Sequence, residues 1–232
     1  MHALRGALIC ALVFPFFTPA RRMLVVGRWS AQLLNVLGIR LRSSGTPRTG
    51  AVLFIANHIS WLDILAINAV RPARFVSKAD VRHWPVMGWM VACGGTLFIE
   101  RERKRDALRV VHQVAEALKA GETIAVFPEG TTSDGHALLP FHANLLQAAI
   151  ATEAPVQPIA LRYSDTRNKV SSAAAYIGDT SLAQSVWWVA CADGLQVNVQ
   201  ILPAEGTRHL DRRALAERLQ AQIASALFQP LP

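Results

Sequence analysis

Charge is scarce in this chain: Asp, Glu, Lys and Arg make up 17% of its 232 residues, against 52% that are hydrophobic. That balance excludes a highly solvated, disordered polypeptide and is more apolar than a typical soluble domain. Cysteine is scarce too. Cys10, Cys93 and Cys191 stand far apart in the sequence, with neither zinc spacing nor a disulfide framework, which fits a reducing compartment. No metal-ligand cluster stands out, there is no G-x-S-x-G elbow, and no Cys is placed beside a base. A hydrolase-type serine or cysteine nucleophile is therefore not encoded. Internal repeats and low-complexity tracts are also missing. Acidic residues are the scarcer sign: 24 Lys plus Arg against 16 Asp plus Glu leave a net charge of +8. An anionic partner follows, and the apolar composition favours a membrane surface or an acidic substrate over nucleic acid.

Long hydrophobic runs are missing as well. Ala7 to Phe17 is almost wholly apolar but is broken by Pro15, and it falls short of the roughly 20 residues a spanning helix needs. Arg5 precedes this run, yet Thr18-Pro19-Ala20 makes a poor cleavage site, so a membrane-embedded or surface-lying segment is a better reading than a signal peptide. Met23 to Leu41 carries Leu24, Val25, Trp29, Leu33, Leu34 and Leu37 at helical spacing, with Arg21, Arg22, Arg28, Arg40 and Arg42 around them. This suits a helix lying in a lipid headgroup region, the alternative being a helix packed on the domain.

Ser43-Ser44-Gly45-Thr46-Pro47 is a turn signal and marks the expected boundary between an N-terminal helical segment, 1–45, and the main domain, 46–232. Strands are expected at Ala51–Ala56, Ala73–Ser77, Thr96–Ile99, Thr123–Phe127, Val156–Arg162 and Leu195–Leu202. In the last, Leu195, Val197, Val199 and Ile201 share one face. A helix over Arg105–Ala120 has a stripe of Leu108, Val111, Val114 or Ala115, and Leu118. Another near the C-terminus has Leu215, Leu219, Ile223 and Leu227. Strands alternating with helices predict a single α/β domain with a central mixed sheet covered by helices.

Three segments carry candidate chemistry. In Asn57-His58-Ile59-Ser60-Trp61-Leu62-Asp63, an imidazole and a carboxylate follow an apolar run, the minimum equipment for taking a proton from a hydroxyl. Ser60 and Asp63 also fit a helix-capping pattern, and both roles can coexist. In Phe127-Pro128-Glu129-Gly130-Thr131-Thr132-Ser133, Gly130 lets the backbone approach a ligand, and N–H and hydroxyl groups can hold a phosphate or an oxyanion. An ordinary polar turn is the alternative. In Gly95-Thr96-Leu97-Phe98-Ile99-Glu100-Arg101, Arg101 leads a basic cluster with Arg103, Lys104 and Arg105, suited to phosphate oxygens or simply a solvated face.

Together these blocks resemble the glycerolipid acyltransferases, specifically the lysophosphatidate (1-acylglycerol-3-phosphate) acyltransferases. Asn57 to Asp63 matches N-H-x-S-x-x-D, Gly95 to Arg101 matches G-x-x-F-I-x-R, and Phe127 to Ser133 matches F-P-E-G-T-R-S except at Thr132. Val156-Gln157-Pro158-Ile159-Ala160-Leu161 matches a weaker fourth block. The blocks run in the family's order. The resemblance implies that His58 is the general base on the acceptor hydroxyl and Asp63 its orienting partner. It implies that Arg101 binds the acceptor's phosphate, and that Glu129, Gly130 and Thr131 shape the acceptor site. It further implies an acyl-CoA or acyl-acyl carrier protein co-substrate, no permanently bound cofactor and no metal. Lys78, after a strand, is a candidate oxyanion contributor, although a surface lysine is the simpler reading. Thr132 stands where the family usually has Arg, which removes a bidentate phosphate contact.

The expected activity is transfer of a fatty acyl group to a lysophospholipid, first of all 1-acylglycerol-3-phosphate to give phosphatidate. Another lysolipid, such as lyso-ornithine lipid, is the alternative acceptor. The expected location is the cytoplasmic face of the inner membrane, on an anionic surface, with no nucleic-acid partner. A non-enzymatic basic membrane- or nucleic-acid-binding module and an ester or thioester hydrolase are the competing readings.

Overall fold

The computed structural model of the chain describes residues 1–100 and 104–228. The strands are β1 (Arg40–Ser44), β2 (Val52–Ala56), β3 (Arg74–Lys78), β4 (Leu97–Ile99), β5 (Thr123–Val126), β6 (Val156–Ser164) and β7 (Gln196–Ile201). They form one mixed sheet in the order β1-β7-β6-β2-β5-β3-β4, in which β6 and β7 are the antiparallel pair and every other pair is parallel. The helices are α1 (His2–Leu12), α2 (Pro19–Val36), α3 (Leu62–Val70), α4 (Met87–Cys93), α5 (Lys104–Lys119), α6 (Leu146–Thr152), α7 (Leu182–Cys191) and α8 (Arg212–Phe228).

Strand β2 sits at the centre because it is apolar on both faces. Val52, Phe54 and Ala56 point to one layer and Leu53 and Ile55 to the other, all fully buried. The first layer is closed by Leu34 of α2, Leu62 and Leu65 of α3, and Val189 of α7. The second is closed by Val110, Val114 and Leu118 of α5, Leu146 of α6, and Leu215, Leu219, Ile223 and Leu227 of α8. The alternating Leu195, Val197, Val199 and Ile201 all face the first layer, as their spacing predicts. Leu108 does not join the α5 stripe: it is 72% exposed, and Val110 takes the buried position. The buried run is Val110, Val114, Ala117 and Leu118, a helical repeat from which Leu108 is displaced onto the outer face.

Strand β1 takes in Ser43 and Ser44 of the expected turn and ends before Gly45, so the sheet draws on residues from both sides of Gly45. Its sequence, Arg-Leu-Arg-Ser-Ser, hides it: on an edge strand polar side chains are expected, and only Leu41 is half-buried. Gly45 then turns the chain at φ +79°, where a Cβ would lie 2.0 Å from the Ile201 carbonyl oxygen, so no side chain fits.

The N-terminal helices pack on this body. Thr18 caps α2 by accepting the Arg21 N–H at 3.4 Å, and α2 buries Gly27, Ser30 and Leu34. Gly6 brings α1 against Trp29 of α2 and Met90 of α4; a Cβ there would come within 2.5 Å of the Met90 methyl. The opposite side of α1 leaves Leu4, Leu8 and Leu12 exposed, and Phe16 beyond it as well. Among the described residues no helix is long and apolar enough to cross a membrane. The fold also closes a distance the sequence leaves open, since it brings Cys10 of α1 and Cys93 of α4 together. Burial, then the neighbouring thiol, pushes Cys10 up to about 12.

Candidate active site

Parallel strands align their C-terminal ends, and three of them deliver the central residues to one edge. His58 follows β2, Glu129 follows β5, and Tyr163 is the penultimate residue of β6. Asn57 makes the first join: its side-chain N–H donates to the Leu161 carbonyl at 2.9 Å, and its carbonyl accepts the Leu161 N–H at 2.8 Å. A side chain thus continues the β2–β6 ladder past the end of β2 and fixes where His58 starts.

Asp63 is wholly buried in the first turn of α3 and is held by four donors. Its Oδ2 accepts the His58 Nδ1–H at 2.7 Å, the Ile59 N–H at 2.7 Å and the Ser60 N–H at 2.9 Å. Its Oδ1 accepts the Tyr163 hydroxyl at 2.9 Å. A buried carboxylate with this many donors is satisfied as an anion. Because a carboxylate only accepts, the imidazole proton sits on Nδ1 and Nε2 carries a lone pair. Tyr163 stays protonated: burial first, then the charge of Asp63, pushes it well above the ordinary tyrosine value. The Ser60–Asp63 capping pattern is half realised. Asp63 takes the Ser60 N–H, but the Ser60 hydroxyl is buried without a hydrogen-bond partner among the described residues.

The imidazole ring is stacked on Phe127, with centroids 3.9 Å apart and planes 8° apart, and Phe75 backs Phe127 at 5.8 Å. Its side chain remains 18% exposed, which leaves the ring reachable from outside. The main chain of His58 is gripped from the neighbouring loop. Its N–H donates to Glu129 Oε1 at 2.7 Å, and its carbonyl accepts the Ser133 N–H at 2.8 Å and the Ser133 hydroxyl at 3.2 Å. Glu129 Oε2 accepts the Leu139 N–H at 2.8 Å. Burial raises the Glu129 carboxyl above its ordinary value, although these two N–H groups pull the other way.

The loop's remaining donors divide between inward and outward. Gly130, at φ +77°, closes a turn by donating its N–H to the Phe127 carbonyl at 3.1 Å. Thr131 is exposed and makes no hydrogen bond among the described residues. The Thr132 hydroxyl donates to the Tyr176 carbonyl, and the Tyr176 N–H donates to the Ile59 carbonyl at 3.0 Å. Lys78 ends β3 at the same sheet edge, exposed and apart from the contacts around His58. Arg101 and Arg103 lie outside the described residues. His58, Asp63, Glu129 and Ser133 therefore form one connected unit, to which Thr131 and Thr132 are the outer rim.

Tyr163 lies outside all of the sequence blocks, and Asn57 lies in one of them without an expected role. Tyr163 is one of two tyrosines in the chain and continues the buried face of Ile159 and Leu161, a signal available from alternation had the strand been carried past Arg162.

A family model described as Acyltransferase matches residues 39–162, a span that takes in the whole edge from Asn57 to Leu161. The chain belongs to the Acyltransferase family. Among its relatives, a lyso-ornithine lipid O-acyltransferase of Pseudomonas aeruginosa is 37% identical over 91% of this chain and 81% of its own length. A 1-acyl-sn-glycerol-3-phosphate acyltransferase of Neisseria meningitidis is 35% identical over 89% of this chain and 81% of its own. The crystal structure of the 1-acyl-sn-glycerophosphate acyltransferase PlsC from Thermotoga maritima superposes with a TM-score of 0.65 at 18% identity, covering 90% of this chain and 81% of that one, and so supports the fold. For an acyltransferase, the chemical capacity of this edge is specific. One ring nitrogen of His58 is held by Asp63, and no serine or cysteine hydrogen-bonds the other among the described residues.

Proposed function

We propose that this acyltransferase moves a fatty acyl group from an acyl thioester to the free hydroxyl of a lysolipid. The observation that carries this is the His58 ring, locked through Nδ1 by a fully hydrogen-bonded Asp63 with Nε2 left to accept a proton. In the proposed step Nε2 takes the hydroxyl proton, the lipid oxygen attacks the thioester carbonyl, and the C–S bond breaks. The departing thiolate regains the proton from the imidazolium. Asp63 stabilises that imidazolium, a role analogous to the carboxylate of a serine-protease triad. Glu129 and Ser133 position the His58 backbone. Thr131, Lys78 and the Gly130 turn are assigned to the developing oxyanion or the acceptor, and Arg101 to the acceptor head group. The donor is acyl-CoA or acyl-acyl carrier protein, with no bound cofactor. Residues 1–45 contribute the membrane-facing side of an enzyme working on the cytoplasmic face of the inner membrane.

Thr132 bears on the choice of acceptor. Its hydroxyl is engaged with the Tyr176 carbonyl, so it is not presented to a phosphate as a guanidinium would be. This favours lyso-ornithine lipid, in agreement with the Pseudomonas relative. The second reading, 1-acylglycerol-3-phosphate, is favoured by the Neisseria relative and by the Arg101 block. A panel of lysolipids with labelled acyl thioester tests both. His58→Ala should abolish transfer to every acceptor; undiminished transfer would remove His58 as the base. Thr132→Arg should shift preference towards 1-acylglycerol-3-phosphate, and an unchanged ratio would remove Thr132 from head-group selection.

A further inference from the structure

Helix α7 is held at the edge that carries His58, yet almost none of it is covered. Its start is fixed by a capping box in which Ser181 Oγ accepts the Gln184 N–H and Gln184 Oε1 accepts the Ser181 N–H. Only Ser185 and Val189, one turn apart, are buried. Ser185 Oγ accepts the indole N–H of Trp61 at 3.0 Å, which ties α7 to the loop between His58 and Asp63. The other side chains from 183 to 191 are exposed, among them Trp187 at 68% and Trp188 at 44%. Val186, next to them, is exposed too, as is Ile177 in the loop that leads to the helix.

The topology places this patch. Strand β6 runs parallel to β2 and ends at the His58 edge; β7 begins opposite that end, with Gln196 paired to Ser164. The short link from α7 to β7 holds the C-terminal end of the helix near the catalytic edge, the Trp61–Ser185 bond holds its first half, and the Tyr176–Ile59 hydrogen bond tethers the loop that leads into it. On the other flank, the chain leaving β3 at the same edge leads to exposed Val86 and to α4, which exposes Trp89 and carries α1 with Leu4, Leu8 and Leu12.

We infer that Ile177, Val186, Trp187 and Trp188 form a second bilayer contact, seated at the catalytic edge and separate from the N-terminal helices. This rests on the lysolipid reading above. An acceptor anchored in a bilayer can bring its hydroxyl to a partly covered ring only if that edge meets the bilayer. Adjacent exposed tryptophans are the composition suited to such an interface, because each buries an apolar body and keeps its N–H at the headgroup level. The net charge of +8 adds attraction to an anionic surface. The bilayer then touches the protein on both flanks of the base, and α7 sets how close the His58 edge comes to it.

The test uses the full chain and a Trp187→Ser/Trp188→Ser variant, checked for native circular dichroism. The probe is vesicles of equimolar phosphatidylcholine and phosphatidylglycerol carrying lysolipid. Wild type should show tryptophan quenching by brominated lipid that falls in the variant, with exposed Trp89 on the other flank keeping a share of it, and vesicle partitioning should fall by about tenfold or more. Transfer to vesicle-borne lysolipid should fall in parallel, whereas transfer to a short-chain, monomerically dissolved lysolipid should stay within about twofold. Equal quenching and partitioning in both proteins would overturn the second contact. So would a concentration-dependent dimer that only the variant loses, since the patch would then cover a second copy of the chain. A wild type inactive even on dissolved lysolipid would instead overturn the lysolipid reading. Should the variant misfold, absence of fluorine NMR broadening of the Trp187 and Trp188 signals by nitroxide-labelled lipid, in wild-type protein carrying fluorotryptophan, would overturn the proposal by itself.

Discussion

Asp63→Asn removes a charge from the site while leaving nearly every atom in place, and the geometry specifies what should follow. In many histidine–carboxylate pairs the amide can turn its NH2 towards the ring and force the proton onto the wrong nitrogen, which costs about 10⁴-fold. Here the Oδ2 position also receives the Ile59 and Ser60 N–H groups. Turning the NH2 that way would strand both buried donors at about 1–3 kcal/mol each, roughly 2–6 kcal/mol in total. The amide oxygen therefore stays at the Oδ2 position, and the NH2 faces Tyr163, whose hydroxyl oxygen can accept. The His58 proton remains on Nδ1, and what is lost is the attraction between the carboxylate and the imidazolium formed in the reaction. Two unit charges about 4 Å apart at an effective dielectric of about 20 interact by roughly 4 kcal/mol. That corresponds to about 10³-fold in rate, so kcat should fall by roughly 10²- to 10³-fold with KM little changed. Histidine ¹⁵N NMR should still report a protonated Nδ1. A fall beyond about 10⁴-fold with the proton on Nε2 would refute the orientation argument. A loss below about tenfold would refute the use of the Asp63 charge.

Two further outcomes concern stability. The Glu129 carboxyl is raised by burial, so the folded chain keeps that proton at pH values where the unfolded chain has lost it. Its contribution to stability is therefore greatest below the ordinary value of 4.5 and declines as pH climbs through the window above it. Glu129→Gln should flatten that decline in denaturant titrations run across pH, at the expense of one main-chain acceptor; a parallel pH profile would contradict the assignment. Gly45→Ala should lose roughly 2–3 kcal/mol or more, since a strained positive φ is compounded by a Cβ 2.0 Å from the Ile201 oxygen. A midpoint shift within error in urea unfolding would refute this.

Much of the site is legible in the sequence because its parts are short-range. His58 and Asp63 meet within one loop and one helical turn, and the apolar run before them fixes β2 as a central strand. The alternation in β7 and the stripe in α8 are read correctly for the same reason: each element is buried on one consistent face. What escapes is set by tertiary contact. Strand β1 is a polar edge, and α7 buries only two of its residues, so neither displays a periodic apolar face. The capping pair Ser181 and Gln184 was the one local sign of α7. Tyr163 reaches Asp63 from a hundred residues away, a pairing that only the β2–β6 register creates.

The inward grip on His58 has a consequence for how such an enzyme can change. Glu129 and Ser133 hold the main chain of the proposed base, whereas Thr131 is exposed and Thr132 bonds sideways to the Tyr176 loop. On the proposed reading, support of the base and choice of lipid would fall to neighbouring residues of a single seven-residue stretch that face different directions. A substitution at 131 or 132 would then retune the acceptor without removing the Glu129 and Ser133 contacts to His58. One such stretch would serve a succession of lipids while the reaction stays the same.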